Sequence, residues 1–293
     1  MSTEHRSSQK PSPSTEHASS THVDLQGEEV HWRQDMSYGG YLQLDQLLGA
    51  FKPVSDEHDE HLFITIHQAS ELWIRLCLHE LRAAMTALAA KEVGPALKML
   101  ARIAQIQGNL KKSWQILSTM TPSDYLSFRD KLGQSSGFQS FQYRELEYRL
   151  GNKNPKMAEV HRGSPHYHPL QAALDTPSLY DLSLQLLAAE GFAIPAAKLS
   201  GPWREPYVPD STVESAWLEV YRNPERYWSL YELAEKLVDL EQQFHAWRFA
   251  HMKTVERIIG FKRGTGGTGG VSYLVKALDL RFFPELWTLR TSL

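Results

Sequence analysis

The sequence predicts an all-α fold, and three observations carry that expectation. From about residue 36 onward apolar side chains recur at steps of three and four, no stretch from there alternates with period two, and the breaks are short Pro/Gly interruptions between long periodic segments. Residues 41–51 (YLQLDQLLGAF) show helical spacing and stop before Pro53. Residues 59–91 read as one long helix; FITI at 63–66 is too short and too continuous with helix formers to be a strand. Gly94-Pro95 predicts a break, and 95–118 a further helix. Over 121–133, Thr121 suits the N-cap, Pro122 the first helical position, Asp124 the first turn and Gly133 a left-handed C-cap. Residues 151–169 read as loop or lid and Pro/Gly-rich 191–212 as an irregular connection, with helices at 170–174 and 178–190 between them. The longest pattern, 224–259, runs from Asn223 as N-cap and Pro224 to Gly260, on the order of 54 Å. A glycine-rich loop, 261–270, follows, and a helix at 271–280 is expected to close the fold.

Composition narrows the function. The 293 residues carry 31 Lys+Arg against 34 Asp+Glu, a formal charge of −3, which excludes a basic nucleic-acid binder. Thirteen His stand against one Cys, Cys77, so an internal disulfide, a Cys-rich zinc site and an all-Cys iron–sulfur centre are excluded, and a reducing, cytoplasmic location is expected. No apolar run is long enough for a membrane span, and the N-terminus lacks the apolar core of a secretory signal. Residues 1–22 hold seven Ser, three Thr and three His with no aromatic residue, so a disordered tail is expected. Neither an internal repeat nor a second domain boundary is visible, which leaves residues 23–293 as one all-helical domain.

Several side chains invite chemistry. On 224–259 the apolar positions Leu230, Leu233, Leu237, Leu240, Phe244 and Trp247 lead to His251, then Val255 and Ile258, so an imidazole occupies a seam where an aliphatic is expected. Such a His is either a core residue satisfied by a carbonyl or an axial ligand of a haem. His245 falls on another face. His67 and Phe63 are one turn apart and share a face, with Glu71 one turn on. Tyr125 and Arg129 also lie at i and i+4, a phenol and a guanidinium fork suited to a carboxylate, although a packed Tyr beside a solvent-exposed Arg is the commoner origin of such a pair. GTGGTGG at 264–270 lacks the order of a nucleotide-binding loop and reads as a lid or linker carrying Thr265 and Thr268. His161, His166 and His168 share a loop without a suitable carboxylate or thiolate, which disfavours zinc, and Cys77 reads as packing.

Taken together, YGGYLQLDQLL (38–48), FITIHQASELW (63–73), SFRDKLGQSSGFQSFQYRELEYRLGNK (127–153), FHAWRFAHMKTVERIIG (244–260) and GTGGTGGVSYL (264–274) resemble the tryptophan 2,3-dioxygenase family. The resemblance implies a homotetrameric helical enzyme with one ferrous haem b per subunit, which opens the indole ring of L-tryptophan with O2. It implies His251 as the axial iron ligand and His67 as the catalytic distal histidine. Phe63 would pack on the indole, Tyr125 and Arg129 would hold the carboxylate, and Thr265 would lie beside the substrate's charged groups. Ser136 and Gly137 are implied as pocket wall, and Tyr38, Tyr41 and Leu42 as a segment reaching into a neighbouring subunit's site. A haem-based sensor without turnover would share His251 but has no need of Tyr125 and Arg129.

Overall fold

The computed structural model describes residues 21–32 and 36–293. These fall into two compact units, Met1–Lys52 and Pro53–Leu293. Positions 1–20 of the expected tail lie outside the described residues; Thr21 and His22 do not, because they open a strand.

In the first unit, β1 (Thr21–Leu25) pairs antiparallel with β2 (Glu28–Trp32), Thr21 opposite Trp32 and Leu25 opposite Glu28. The turn places Gln26 and Gly27 at φ 55° and 93°, the left-handed geometry that a two-residue hairpin requires. The helix expected over 41–51 is two: α1 (Tyr38–Leu42) and α2 (Leu44–Gly49). Gln43, at φ 52°, breaks the run. Ser37 caps α1 by accepting from the Gly40 amide.

The second unit is helical throughout its regular structure. Its frame is α3 (His58–Ala89), α4 (Val93–Leu117) and, later, the 32-residue helix Trp228–Ile259. The turn between α3 and α4 is made by Lys91 at φ 63°; Pro95 sits inside the first turn of α4, where its missing N–H has no intrahelical partner to lose. At the start of α3, the buried Glu60 carboxylate accepts from the Val54 and Ser55 amides and the Ser55 hydroxyl. α5 (Pro122–Arg129) forms as the sequence indicates, with a reciprocal Thr121–Asp124 capping box. It tightens into a 3-10 turn over residues 130–132 before Gly133 at φ 58°.

A short turn at 137–139 leads into α6 (Phe141–Leu150). The segment expected as loop holds a 3-10 turn at Pro155–His161, and α7 (Tyr167–Leu174) begins earlier than expected. Buried Lys153 donates to the Ala173, Leu174 and Thr176 carbonyls at 2.8, 3.1 and 2.5 Å, tying the chain after α6 to the end of α7. Then come α8 (Leu179–Ala189), the short α9 (Ala196–Leu199) and α10 (Ser211–Arg222), the last capped by Asp210. Asn223 closes α10 through Glu219 rather than opening the long helix, and residues 224–226 form a turn, so α11 (Trp228–Ile259) starts four residues later than Pro224 suggests.

Nor does the fold close at 271–280. α12 (Val271–Leu278) is followed by α13 (Pro284–Thr288) and a last turn at 289–292, with Phe282, Phe283, Leu286 and Leu289 buried in the core. One carboxylate explains why that tail is fixed. Glu241, fully buried on α11, accepts from the Phe282 and Phe283 amides at 2.6 and 3.2 Å and from the Trp287 indole at 2.7 Å. Glu285 in turn takes the Tyr180 and Tyr207 phenols and the Asp210 amide.

The main core lies where α4 packs against α3 and α11, around Leu81, Leu88, Leu100, Ile103, Leu233, Leu237 and Leu240. Because α4 runs back along α3, the start of α3 meets the end of α4. A separate cluster of Ile66, Leu117, Met120, Tyr125, Phe128 and Ile258 covers that end. There the end of α11 also arrives, with Arg257 donating to the Ser118 carbonyl at 3.0 Å. Among the described residues no helix is long and apolar enough to cross a membrane.

Glu241→Ala is expected to strand three buried donors and to lower unfolding stability by roughly 3 kcal/mol. Urea denaturation followed by tryptophan fluorescence checks this; a loss under about 1 kcal/mol would show that the C-terminal segment is held by apolar packing instead.

Candidate active site

At this covered end the helices do not meet fully. They leave a cavity of about 320 Å³, within the range of small-molecule sites. Phe63, His67 and Ser70 face it from α3, Trp114 and Leu117 from α4, and Trp247, His251 and Val255 from α11. The α11 seam explains the opening. Leu230, Leu233, Leu237, Leu240 and Phe244 are buried, whereas Trp247, His251 and Val255 keep partial exposure because that stretch of the seam borders the cavity.

His67 is held in one tautomer. Its Nδ1 lies 2.6 Å from the Phe63 carbonyl, which only accepts, so Nδ1 carries the proton and Nε2 is left as an acceptor. Burial lowers its pKa, against the smaller raising effects of the Phe63 carbonyl and Glu71, so the ring is neutral near pH 7. Glu71 is not its hydrogen-bond partner: that carboxylate takes the Gln142 amide at 2.7 Å. The Phe63 ring sits 4.2 Å from the His67 ring and within 6 Å of Tyr125 and Phe128, which makes this wall aromatic.

His251, which lines the same cavity, makes no hydrogen bond and stacks on Trp114, ring centroids 4.3 Å apart and planes 10° from parallel. Burial, with the neighbouring His67 adding to it, pulls its pKa from 6.5 down to about 4. A neutral imidazole without a partner in an apolar wall is an unusual residue for a core, and it is the donor that a metal centre with one axial nitrogen requires. His245, by contrast, is engaged elsewhere, with the Leu280 carbonyl and the Arg281 guanidinium.

The polar edge is built by α5 and the loop after α11. Tyr125 is buried and borders the cavity; burial raises its pKa, so the phenol is a proton donor at neutral pH. Arg129 lies one turn on, beside that phenol, rather than in the cavity lining. Its Nη2 donates to the Arg263 carbonyl at 2.6 Å, while its buried Nε has no partner. Thr265 borders the cavity and donates to the Ser135 carbonyl at 2.5 Å. The loop approaches Ser136 so closely at Gly266 that a Cβ there would fall 2.6 Å from the Ser136 Cβ, a contact only glycine permits.

Beneath this edge lies a cluster that sequence reasoning did not single out. The buried Glu147 carboxylate takes Arg144 on one oxygen and Arg248 on the other, the latter at 2.8 Å, together with the Tyr143 phenol at 3.0 Å. The signal was present but inverted: six of the ten residues of α6 are buried, Arg144, Glu145 and Glu147 among them, so its charged positions do not mark a solvent face from which to read its role. Trp114 was also missed, since an aromatic in an apolar stripe has no distinguishing pattern.

The structure therefore brings Phe63, His67, Tyr125, Ser136, Gly137, Thr265 and His251 around one cavity, with Arg129 at its margin. Tyr38, Tyr41 and Leu42 belong to the other compact unit and are exposed, at 74%, 71% and 40%. His161, His166 and His168 do not gather: His161 is buried without a partner at Nε2, His166 stacks on Phe141, and among the described residues no cluster of three or more metal-ligating side chains exists.

The sequence profile of the tryptophan 2,3-dioxygenase family matches residues 24–171 and 208–293. The chain belongs to this family. The tryptophan 2,3-dioxygenase of a Bacillus cereus strain is 56% identical over 268 residues, covering 91% of this chain and 96% of that protein. That of Cupriavidus necator is 55% identical with 91% of each chain covered, and that of a Polaromonas species is 56% identical with 90% of each covered. The tryptophan 2,3-dioxygenase profile omits 172–207, the stretch holding α8 and α9, and no residue of that stretch lines the cavity.

The buried imidazole has a measurable consequence. An unfolded chain protonates His251 near pH 6.5 and the folded one near 4, so the folded state binds fewer protons between those values. Stability present at neutral pH is therefore lost as pH falls across that window, by on the order of 3 kcal/mol at about 1.4 kcal/mol per unit. Chemical denaturation of the apoprotein at pH 7 and 4.5 is expected to show this loss, and His251→Leu to reduce it. An unchanged pH dependence in the variant would show that other groups are responsible.

Proposed function

We propose that the chain is a haem-dependent dioxygenase that cleaves the indole C2–C3 bond of L-tryptophan with O2, giving N-formylkynurenine and opening tryptophan breakdown through kynurenine. Both oxygen atoms enter the product, so no external reductant is consumed in the balance. The observation that carries this reading is the pairing, across one cavity, of an unpartnered neutral imidazole, His251, with a tautomer-fixed one, His67.

The residues fit a haem b, one per subunit. His251 is free to serve as axial ligand to iron, and the cavity between it and Phe63 is walled by aromatic rings. When bound in its ferrous form, the haem supplies the iron centre that activates O2. The remaining work belongs to the protein. Phe63 would pack on the indole, Nε2 of His67 would accept its N–H, and Tyr125, Arg129 and Thr265 would supply donors to the carboxylate, so that the substrate is held in one orientation. In this account His67 is catalytic by orientation, since a neutral ring with a lowered pKa is a good acceptor and a weak base. Ser136 and Gly137 complete the wall under the Gly266 loop.

Residues 23–293 are proposed to act as one functional unit in a cytoplasmic homotetramer. Tyr38, Tyr41 and Leu42 expose apolar area on a five-residue helix, which suits a segment covered by a neighbouring subunit near its cavity.

The direct test is product formation: haem-loaded, reduced protein with O2 and L-tryptophan is expected to yield N-formylkynurenine. Haem-replete protein without product would favour a gas sensor. Arg129→Leu is expected to raise KM for L-tryptophan by roughly 30- to 100-fold, the value of a charge-assisted contact, and to leave indole derivatives lacking a carboxylate nearly unaffected. Equal effects on both would make Arg129 structural. His67→Ala is expected to slow turnover by about 10- to 100-fold without abolishing it, as loss of orientation does; complete loss with haem retained would require an obligatory base.

A further inference from the structure

Arg144 is the buried cation whose hydrogen bonding is least complete. Its residue exposure is 4%, its Nη1 donates to Glu147, and its Nε has no partner. The guanidinium borders the cavity between the Phe138 and Tyr143 rings, 5.6 Å from each centroid, with the Tyr273 phenol beside it. Glu147 cannot neutralise it alone. The same carboxylate serves Arg248, whose Nε, Nη1 and Nη2 are all engaged, by Tyr143, the Leu280 carbonyl and Glu147. Two buried guanidiniums thus share one carboxylate, and the one that borders the cavity, Arg144, is the less completely paired, with the Tyr273 phenol as its other polar neighbour. A buried charge with unmet donors is costly, and a planar fork is matched best by a carboxylate.

We propose that Arg144, with Tyr273, receives a carboxylate of the bound haem, one of its propionate groups, and so sets the orientation of the cofactor in the cavity. This rests on the haem reading above. The substrate carboxylate is the other source of that chemistry, but Tyr125, Arg129 and Thr265 already gather donors for it.

The test is a titration of the haem-free full chain, without substrate, using haem and its dimethyl ester, in which both propionates are blocked; the Soret band reports binding. Wild-type protein is expected to bind the ester about tenfold or more weakly than haem, and Arg144→Gln to bind both with the weaker affinity while its Soret position stays that of a His251-ligated haem. Equal wild-type affinities for haem and ester would overturn the assignment without needing any variant to fold. If Arg144→Gln keeps full discrimination, another group holds the propionate and the assignment fails. A variant that binds haem normally but raises KM for L-tryptophan, with no change for tryptamine, would move Arg144 to the substrate. A Soret band that stays at the position of free haem when wild-type protein is added would overturn the haem reading itself, and this assignment with it.

Discussion

One buried carboxylate holds the working end of the molecule together. Glu147 on α6 reaches Arg248 on α11 and Arg144 on its own helix, and thereby joins the two elements that form the deep wall of the cavity. In a medium of low dielectric such a bridge is stable only if its geometry is complete, because either guanidinium without it would be an uncompensated charge in an apolar wall. The arrangement has a consequence for the neighbouring chemistry. Arg248 lies three residues before His251, so the interaction that locks α11 against α6 also fixes the rotation of α11 about its axis, and hence the direction in which His251 enters the cavity.

The long helices and their apolar seams were legible in the sequence because a period near 3.6 is a direct physical record of which face is buried. His251 stood out for the same reason: it breaks an aliphatic run at a position where burial without a partner is costly. The α5 caps were legible too, since Thr121, Pro122 and Asp124 act within one turn. What escaped was decided by contacts distant in sequence. Asn223 and Pro224 form a locally sound helix start, yet Asn223 is consumed by the end of α10. The closing segment after 280 looks unremarkable until Glu241, some forty residues earlier, supplies the acceptor for its amides. α6 hides its role because burial of Arg144, Glu145 and Glu147 erases the amphipathic signal. The site residues Phe63, His67, Tyr125 and Arg129 could be paired along single helices, but only the return of α4 along α3 brings those pairs to His251.

The distribution of unmet polar groups separates support from function. Glu60, Lys153, Glu241 and Glu285 are buried, and each has several short hydrogen bonds that compensate its desolvation. Gln107 and Trp217 keep unpartnered buried atoms within the core. His161 keeps an unpartnered Nε2 away from the cavity, and beside the cavity the unmet atoms are the indole N–H of Trp114 and Trp247, the Nε of Arg144 and, at the margin, the Nε of Arg129, with the imidazole of His251 also lacking a hydrogen bond. The carboxylates and the lysine that support the fold are fully compensated, whereas the two arginines beside the cavity are compensated only in part.

That difference also bears on how selectivity divides around the cavity. At the loop-covered edge, Arg129 is already tied to the Arg263 carbonyl and Thr265 to the Ser135 carbonyl, so a ligand carboxylate must compete with, or share, existing hydrogen bonds. Only a ligand that carries a carboxylate enters that exchange, so its net gain is the difference between the bonds formed and the bonds given up. Beside Glu147, Arg248 is fully engaged, whereas Arg144 keeps an unpartnered Nε. On the proposed reading, recognition by Arg129 and Thr265 is an exchange of hydrogen bonds, and recognition by Arg144 is the completion of an unfinished charge pair. A tightly retained cofactor suits the second and a substrate that must come and go suits the first.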